Sequence, residues 1–245
     1  MTTTDAQRTQ METGQGFVAA LDQSGGSTPK ALSLYGVEPS DYSGDAEMFH
    51  AMHDMRARII LADDFTSDKV LGAILFERTM DNSINGKPVA QLLWEDRGVV
   101  PFLKIDKGLE DESNGVQLLK PMPELADLLA RAKAAGIFGT KERSVIQSAN
   151  PEGIASVVAQ QFAVAKTVCA AGLVPIIEPE VNIHSDSKAE CETILKSELE
   201  KHLAELSADE LVMLKVTLPE TAGLYDSLAD LPNVLRVVAL SGGYS

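Results

Sequence analysis

Residues 172–180, GLVPIIEPE, read as a short, continuous apolar strand that runs into two carboxylates, Glu178 and Glu180, set two residues apart. The two-residue period of a strand turns both to one face. The same signature stands twice upstream. VVPFL (99–103) leads into Lys104 and Asp106, and AGIFGT (135–140) leads into Lys141 and Arg143. Downstream, ELVML (210–214) leads into Lys215.

Three more runs complete the series: FVAAL (17–21), GAILF (72–76) and VLRVVAL (234–240). The seven runs terminate in Asp22, Glu77, Lys104, Lys141, Glu178, Lys215 and Ser241. Amphipathic stretches with helical spacing lie between most of them, among them MPELADLLARAKAAG, EGIASVVAQQFAVAKTVCAAG and AECETILKSELEKHLAEL. Strand-to-strand spacings in the middle of the chain cluster near about 37 residues, the length of one βα unit with its crossover. This alternation predicts an α/β protein with the (β/α)8 TIM-barrel architecture, a single domain over residues 1–245. A doubly wound sheet shows the same alternation. The paired polar residues favour the barrel, because lysines and carboxylates from several strands then converge at its C-terminal mouth. Such a cluster is costly to bury unless it is used. Only seven units are counted, so the eighth βα unit is expected to be missing from these residues and the natural polypeptide to continue past Ser245.

Composition sets the remaining bounds. The chain has 245 residues, 44% apolar, 23% charged and 5% aromatic, which is ordinary globular usage. No apolar run approaches a bilayer span, and the start, MTTTDAQRTQMETG, has neither a basic nor an apolar leader region, so a cytoplasmic location is expected. Cys169 and Cys191 fall in helical stretches and are too few for a disulfide framework. Net charge −15 repels nucleic acid and anionic membrane, so an anionic ligand must be held by a local basic cluster. Neither class of partner is expected. His50 and His53 are spaced i, i+3, while His184 and His202 stand alone; none has metal-site spacing. No metal or cofactor is expected. No nucleophile elbow, Walker loop or dinucleotide fingerprint occurs.

Amine chemistry remains. Lys215 sits among LVML and VTL, where an ammonium loses solvation and Lys141 and Arg143 become neighbouring cations if the barrel closes. Both effects favour a neutral, nucleophilic amine able to form a Schiff base. A lysine snorkelling at a strand end fits the same pattern. Glu178, among apolar neighbours, is a candidate proton shuttle, and equally a carboxylate that simply pairs with a lysine. The closing LSGGYS (240–245) offers bare backbone N–H groups to a phosphate, or a simple tight turn.

Taken in order, ALDQSGGS (20–27), FLKIDKG (102–108), GTKERSVI (139–146), GLVPIIEPE (172–180), LVMLK (211–215) and LSGGYS (240–245) resemble class I fructose-1,6-bisphosphate aldolase over nearly the whole chain, its short bacterial branch more than the longer animal enzymes. The resemblance implies a lyase of glycolysis and gluconeogenesis that converts fructose 1,6-bisphosphate reversibly into dihydroxyacetone phosphate and glyceraldehyde 3-phosphate. It implies that Lys215 forms the imine at C2 and that Glu178 is its main acid and base. Asp22 would take the C4 hydroxyl proton, and Lys141 would polarise groups near the imine with Glu180 in support. Lys104 and Ser27 fall where the family binds the C6 phosphate, and Ser24, Ser241 and Gly242 where it binds the C1 phosphate, with Arg143 a further phosphate contact. The mobile tail ending in tyrosine seen in the animal enzymes has no counterpart here. Neither has the phosphate-clamping arginine of the eighth unit. A homo-oligomer is possible on this reading. Two other classes compete with it: a transaldolase-like Schiff-base barrel acting on a smaller sugar phosphate, and a non-catalytic barrel scaffold. A second phosphate site at Lys104 and Ser27 argues against the first, and the intact Lys215, Glu178 and Asp22 against the second.

Overall fold

The computed structural model describes residues 2–24 and 27–240. The chain divides into two compact units, residues 1–104 with 134–138, and residues 105–133 with 139–245.

The first unit opens on α1 (Thr3–Thr13), started by a capping box in which the Thr2 hydroxyl accepts from Asp5 N–H and the Asp5 carboxylate accepts from Thr2 N–H. Gln10 on this helix donates to the carbonyls of Leu71 and Gly98, which docks α1 at the start of two strands. β1 (Phe17–Leu21), α2 (Thr28–Leu34), α3 (Gly44–Leu61) and β2 (Val70–Leu75) follow. Every residue of β2 is buried, as a strand covered on both faces must be. α3 packs Met48, Met52 and Met55 around Leu32 of α2. A short α4 (Glu77–Met80) then leads to the hairpin of β3 (Ser83–Ile84) and β4 (Lys87–Pro88). Its two-residue turn is Asn85-Gly86, both left-handed with φ 52° and 79°, the pairing that a type I′ turn needs. α5 (Val89–Arg97) and β5 (Val100–Lys104) close the unit. β1 pairs with β2 and β2 with β5, all parallel.

The second unit holds β6 (Val116–Gln117), α6 (Leu125–Ala134, all but its last residue), β7 (Gly139–Ile146), α7 (Pro151–Ala170), β8 (Val174–Val181), α8 (Lys188–Leu203), β9 (Val212–Thr217), α9 (Asp226–Ala229) and β10 (Val234–Leu240). β7, β8, β9 and β10 pair in that order, all parallel, and β6 pairs antiparallel with β7. One face of these strands presents Ile146, Ile177, Val181, Val212, Leu214 and Val216 to α7 and α8, which contribute Val157, Val158, Phe162, Leu195 and Leu199 to the same core. α7 is 20 residues long and, by length and composition only, apolar enough to cross a bilayer, where no such segment is expected from the sequence. Its apolar side chains belong to this core, which accounts for the composition without a membrane.

The seven parallel strands of the described residues match the seven apolar runs; β1, β2, β5 and β10 end within about one residue of the expected place, and β7, β8 and β9 run on past it. The runs were expected to stop at Lys141, Glu178 and Lys215. Instead Lys141 is the third of eight residues in β7, Glu178 the fifth of eight in β8, and Lys215 the fourth of six in β9. The physical reason is alternation. Where one face of the strand turns polar while the other still meets helices, a continuous apolar run becomes period-two, and the strand goes on.

The loop after β9 is tied down by a buried ion pair. Lys188 and Glu192 of α8 are 5% and 1% exposed and in direct contact. The Lys188 ammonium also donates to Leu218 C=O, and Glu192 accepts from Glu220 N–H. Lys188→Met strands the Glu192 charge in the core, so we expect a stability loss of roughly 3–5 kcal/mol in urea unfolding. Lys188→Met combined with Glu192→Leu should recover most of it; a double variant as unstable as the single would place the loss elsewhere.

Candidate active site

β7, β8 and β9 bring the predicted residues of the second unit together because their register is in phase. Arg143 lies opposite Glu178 and Lys141 opposite Ile176, while Ile176 lies opposite Met213, two residues before Lys215. Directly opposed residues of a parallel pair face the same way. Lys141, Arg143, Glu178, Glu180 and Lys215 therefore share the face turned away from α7 and α8.

Glu178 is the hub. It is 1% exposed, with Lys215 Nζ 2.7 Å from Oε1 and Lys141 Nζ 3.2 Å from Oε2. Lys141 is buried and Lys215 keeps 11% of its side chain exposed, so the latter amine is the one a solute can reach. Glu178 is also fixed through its backbone, since Gln161 of α7 donates to its carbonyl. One residue pair further along, Arg143 donates to Glu180 at 2.7 Å. Burial lowers and the Glu180 and Glu178 carboxylates raise the Arg143 guanidinium, with a net upward displacement, so it stays charged. Asp106, just past β5 in sequence, accepts from Arg143 N–H at 3.4 Å. Beyond the printed β8–β9 register, the Thr217 hydroxyl accepts from Val181 N–H and donates to Val181 C=O, clamping the two strands past the Lys215–Glu178 contact. Thr217 was not anticipated; its place two residues after Lys215 on a strand was the available signal.

Directly behind this face lies a second acidic group that the sequence reading passed over. Glu142 is fully buried on the helix side of β7, and among the described residues neither of its carboxylate oxygens has a hydrogen-bond partner. Burial first, then the Asp106 carboxylate, pushes the Glu142 carboxyl well above the usual carboxylate range. A carboxyl raised in the folded state holds a proton that the unfolded chain has lost, so stability falls as pH rises from the ordinary carboxylate value toward the raised one. Glu142→Gln removes this titration. We expect the variant to gain on the parent in urea midpoints as pH rises above the ordinary carboxylate range, whereas a gap independent of pH means that Glu142 is ionised in the fold.

The first unit carries the remaining predicted residues. Lys104, the last residue of β5, donates to Ser24 Oγ at 3.1 Å. Ser27 accepts from Ser24 N–H and donates to Ser24 C=O, so Ser24, Ser27 and Lys104 form one polar cluster. Asp22 follows β1 and acts electrostatically on Arg56 of α3, whose guanidinium donates to Gln23 C=O and to Thr79. Arg56 went unnoticed in the sequence because MRARII reads as an ordinary amphipathic turn. Ser241 and Gly242 lie outside the described residues. Both cysteines are free and helical as expected, and burial pushes the Cys169 thiol up to about 11, which leaves it unreactive. Among the described residues no three His, Cys, Asp or Glu side chains are grouped as a metal ion needs.

Comparison with known proteins adds two findings. The sequence profile of the family described as fructose-bisphosphate aldolase class-I matches residues 3–222. Among solved structures, the chain is similar to the fructose-bisphosphate aldolase of Plasmodium falciparum in its ternary complex with TRAP and a small-molecule inhibitor. That match has a TM-score of 0.74 at 20% identity and covers 98% of this chain and 76% of the other. It shows the fold, a parallel β/α arrangement of the TIM-barrel-like kind.

Proposed function

The chain belongs to the class-I fructose-bisphosphate aldolase family, and on that premise we propose that it is a lyase cleaving fructose 1,6-bisphosphate reversibly through an imine on Lys215. The observation that carries this reading is the 2.7 Å contact between Lys215 Nζ, which keeps 11% of its side chain exposed, and Oε1 of the buried Glu178. A carboxylate at hydrogen-bond distance takes the proton that an ammonium must lose before its nitrogen can attack a carbonyl. The neutral amine then adds to C2, a proton passes from the new C–N nitrogen to the C2 oxygen to give the carbinolamine, and the protonated Glu178 returns its own proton to that hydroxyl, which leaves as water. The resulting iminium accepts the electron pair of the C3–C4 bond, while a base removes the C4 hydroxyl proton and the aldehyde departs. Reprotonation at C3 and hydrolysis, again through Glu178, free the ketone product.

Lys141, held on the other oxygen of Glu178, keeps that carboxylate oriented and presents an ammonium beside the reacting carbon. Glu180 holds Arg143 in place. On family grounds the proposal gives Asp22 the C4 hydroxyl proton, gives Lys104 and Ser27 the C6 phosphate and gives Ser24 the C1 phosphate. The hydrogen bonds that link Lys104, Ser24 and Ser27 support a phosphate role here, since they gather one ammonium and two hydroxyls, the donors that phosphate oxygens take. Ser241 and Gly242 complete the assignment as phosphate contacts, and a closed (β/α)8 barrel and a cytoplasmic location belong to the same reading.

The test is to trap the intermediate. Borohydride with dihydroxyacetone phosphate should reduce one adduct onto Lys215, mapped by mass spectrometry of the digested protein. An adduct on Lys141 or Lys104 instead overturns the assignment.

A further inference from the structure

A second basic constellation lies in the first unit, made of residues that the imine chemistry does not use. A cavity of about 640 Å³ opens between α3 and the segment of α4 and β3, a size ordinary for a metabolite site. Its walls carry His50, His53 and Arg56 from successive turns of α3, and Arg78 from α4. Arg78 is exposed and its guanidinium lies 4.2 Å from the centre of the Phe49 ring, which fixes its plane over the cavity wall. Asp81 also lines the cavity, and Asp54 stands 3.6 Å from His50.

Two of these side chains are left with buried, unsatisfied nitrogens. Arg56 is 3% exposed; its terminal nitrogens bond Thr79 and Gln23, yet its Nε–H finds no acceptor among the described residues. Burial pushes the guanidinium down to about 10, against the pull of Asp22, so the group remains charged in neutral solution. His53 uses Nε2 to donate to Ser83 C=O at 3.2 Å, and its Nδ1 has no partner among the described residues. A buried guanidinium N–H without an acceptor is costly, and natural proteins rarely tolerate one without a use.

We propose that this cavity is an anion site for a phosphorylated small molecule, with the exposed Arg78 guanidinium as the principal donor, His50 and His53 beside it on the wall, and the buried Arg56 guanidinium adding its positive charge from the cavity lining. The Arg78 guanidinium offers a forked N–H pair that matches the tetrahedral oxygens of a phosphate, and a protein of net charge −15 attracts such a ligand only where cations are gathered. The volume beyond the phosphate receives its organic part. Because Arg56 holds Gln23 C=O, next to Asp22, with the same guanidinium, an occupied cavity acts on the loop after β1.

The experiment is calorimetric titration of the full chain with inorganic pyrophosphate, orthophosphate and glycerol 3-phosphate. The parent is expected to show a pyrophosphate binding event that Lys104→Ala leaves intact and that Arg78→Ala with His53→Asn weakens by about tenfold or more. Arg78 is exposed and His53 half-buried, so the variant should keep its parent's melting temperature. Tighter binding of glycerol 3-phosphate than of orthophosphate assigns the site to an organic ester, and the reverse to the free ion. Isotherms that superimpose for parent and double variant, or a parent that binds none of the three, overturn the proposal.

Discussion

Lys215→Ala abolishes both the borohydride-trapped adduct and turnover, a loss of at least about 10⁶-fold if the enzyme works within the usual range of enzymatic acceleration. The informative companion is Lys215→Arg. It keeps the positive charge beside Glu178, and it cannot deliver a neutral nitrogen because a guanidinium stays protonated. If Lys215 matters as a nucleophile, both variants are inert. If it matters as a charge that orients Glu178 or the substrate, the arginine variant retains measurable turnover, and the imine reading fails. Lys141 still pairs with Glu178 in both variants, so the stability loss is expected to be smaller than for Lys188→Met, and melting temperatures separate it from the loss of the nucleophile.

Glu178→Gln separates the two carboxylates assigned to proton transfer. Without a base 2.7 Å from Lys215, imine formation itself slows, by roughly the 10²- to 10⁴-fold that a positioned acid/base contributes. The amide also leaves Lys141 and Lys215 without their shared carboxylate, so a lower melting temperature accompanies the rate loss. Asp22→Asn should trap normally and stall before the C3–C4 bond breaks. Trapping kinetics under single-turnover conditions distinguish the two. Equal slowing of adduct formation in both variants shows that the division of labour is wrong.

The path from sequence to site was uneven for identifiable reasons. All seven parallel strands were visible, because strands covered on both faces must be continuous apolar runs. The C-terminal limits of β7, β8 and β9 were not, because a strand half-lined by polar side chains stops looking like one. The two Asn-Gly hairpin turns, at Asn85-Gly86 and Asn114-Gly115, carried a local signal that was not read; both asparagines have the positive φ such turns demand. Arg56 and Glu142 were invisible for another reason. Each stands in an unremarkable local pattern, and burial rather than spacing makes it unusual.

By itself the sequence determined the β/α alternation and the residues that can do amine chemistry, because hydrophobic period and residue type are local properties of the chain. Lys141, Glu178 and Lys215 could be named, yet a snorkelling lysine and a salt-bridging glutamate fitted the same letters. Only tertiary structure decided that one carboxylate is shared by two ammoniums, since that depends on the register of three strands far apart in sequence. Strand register is settled by the packing of both faces at once, and no single segment contains that information.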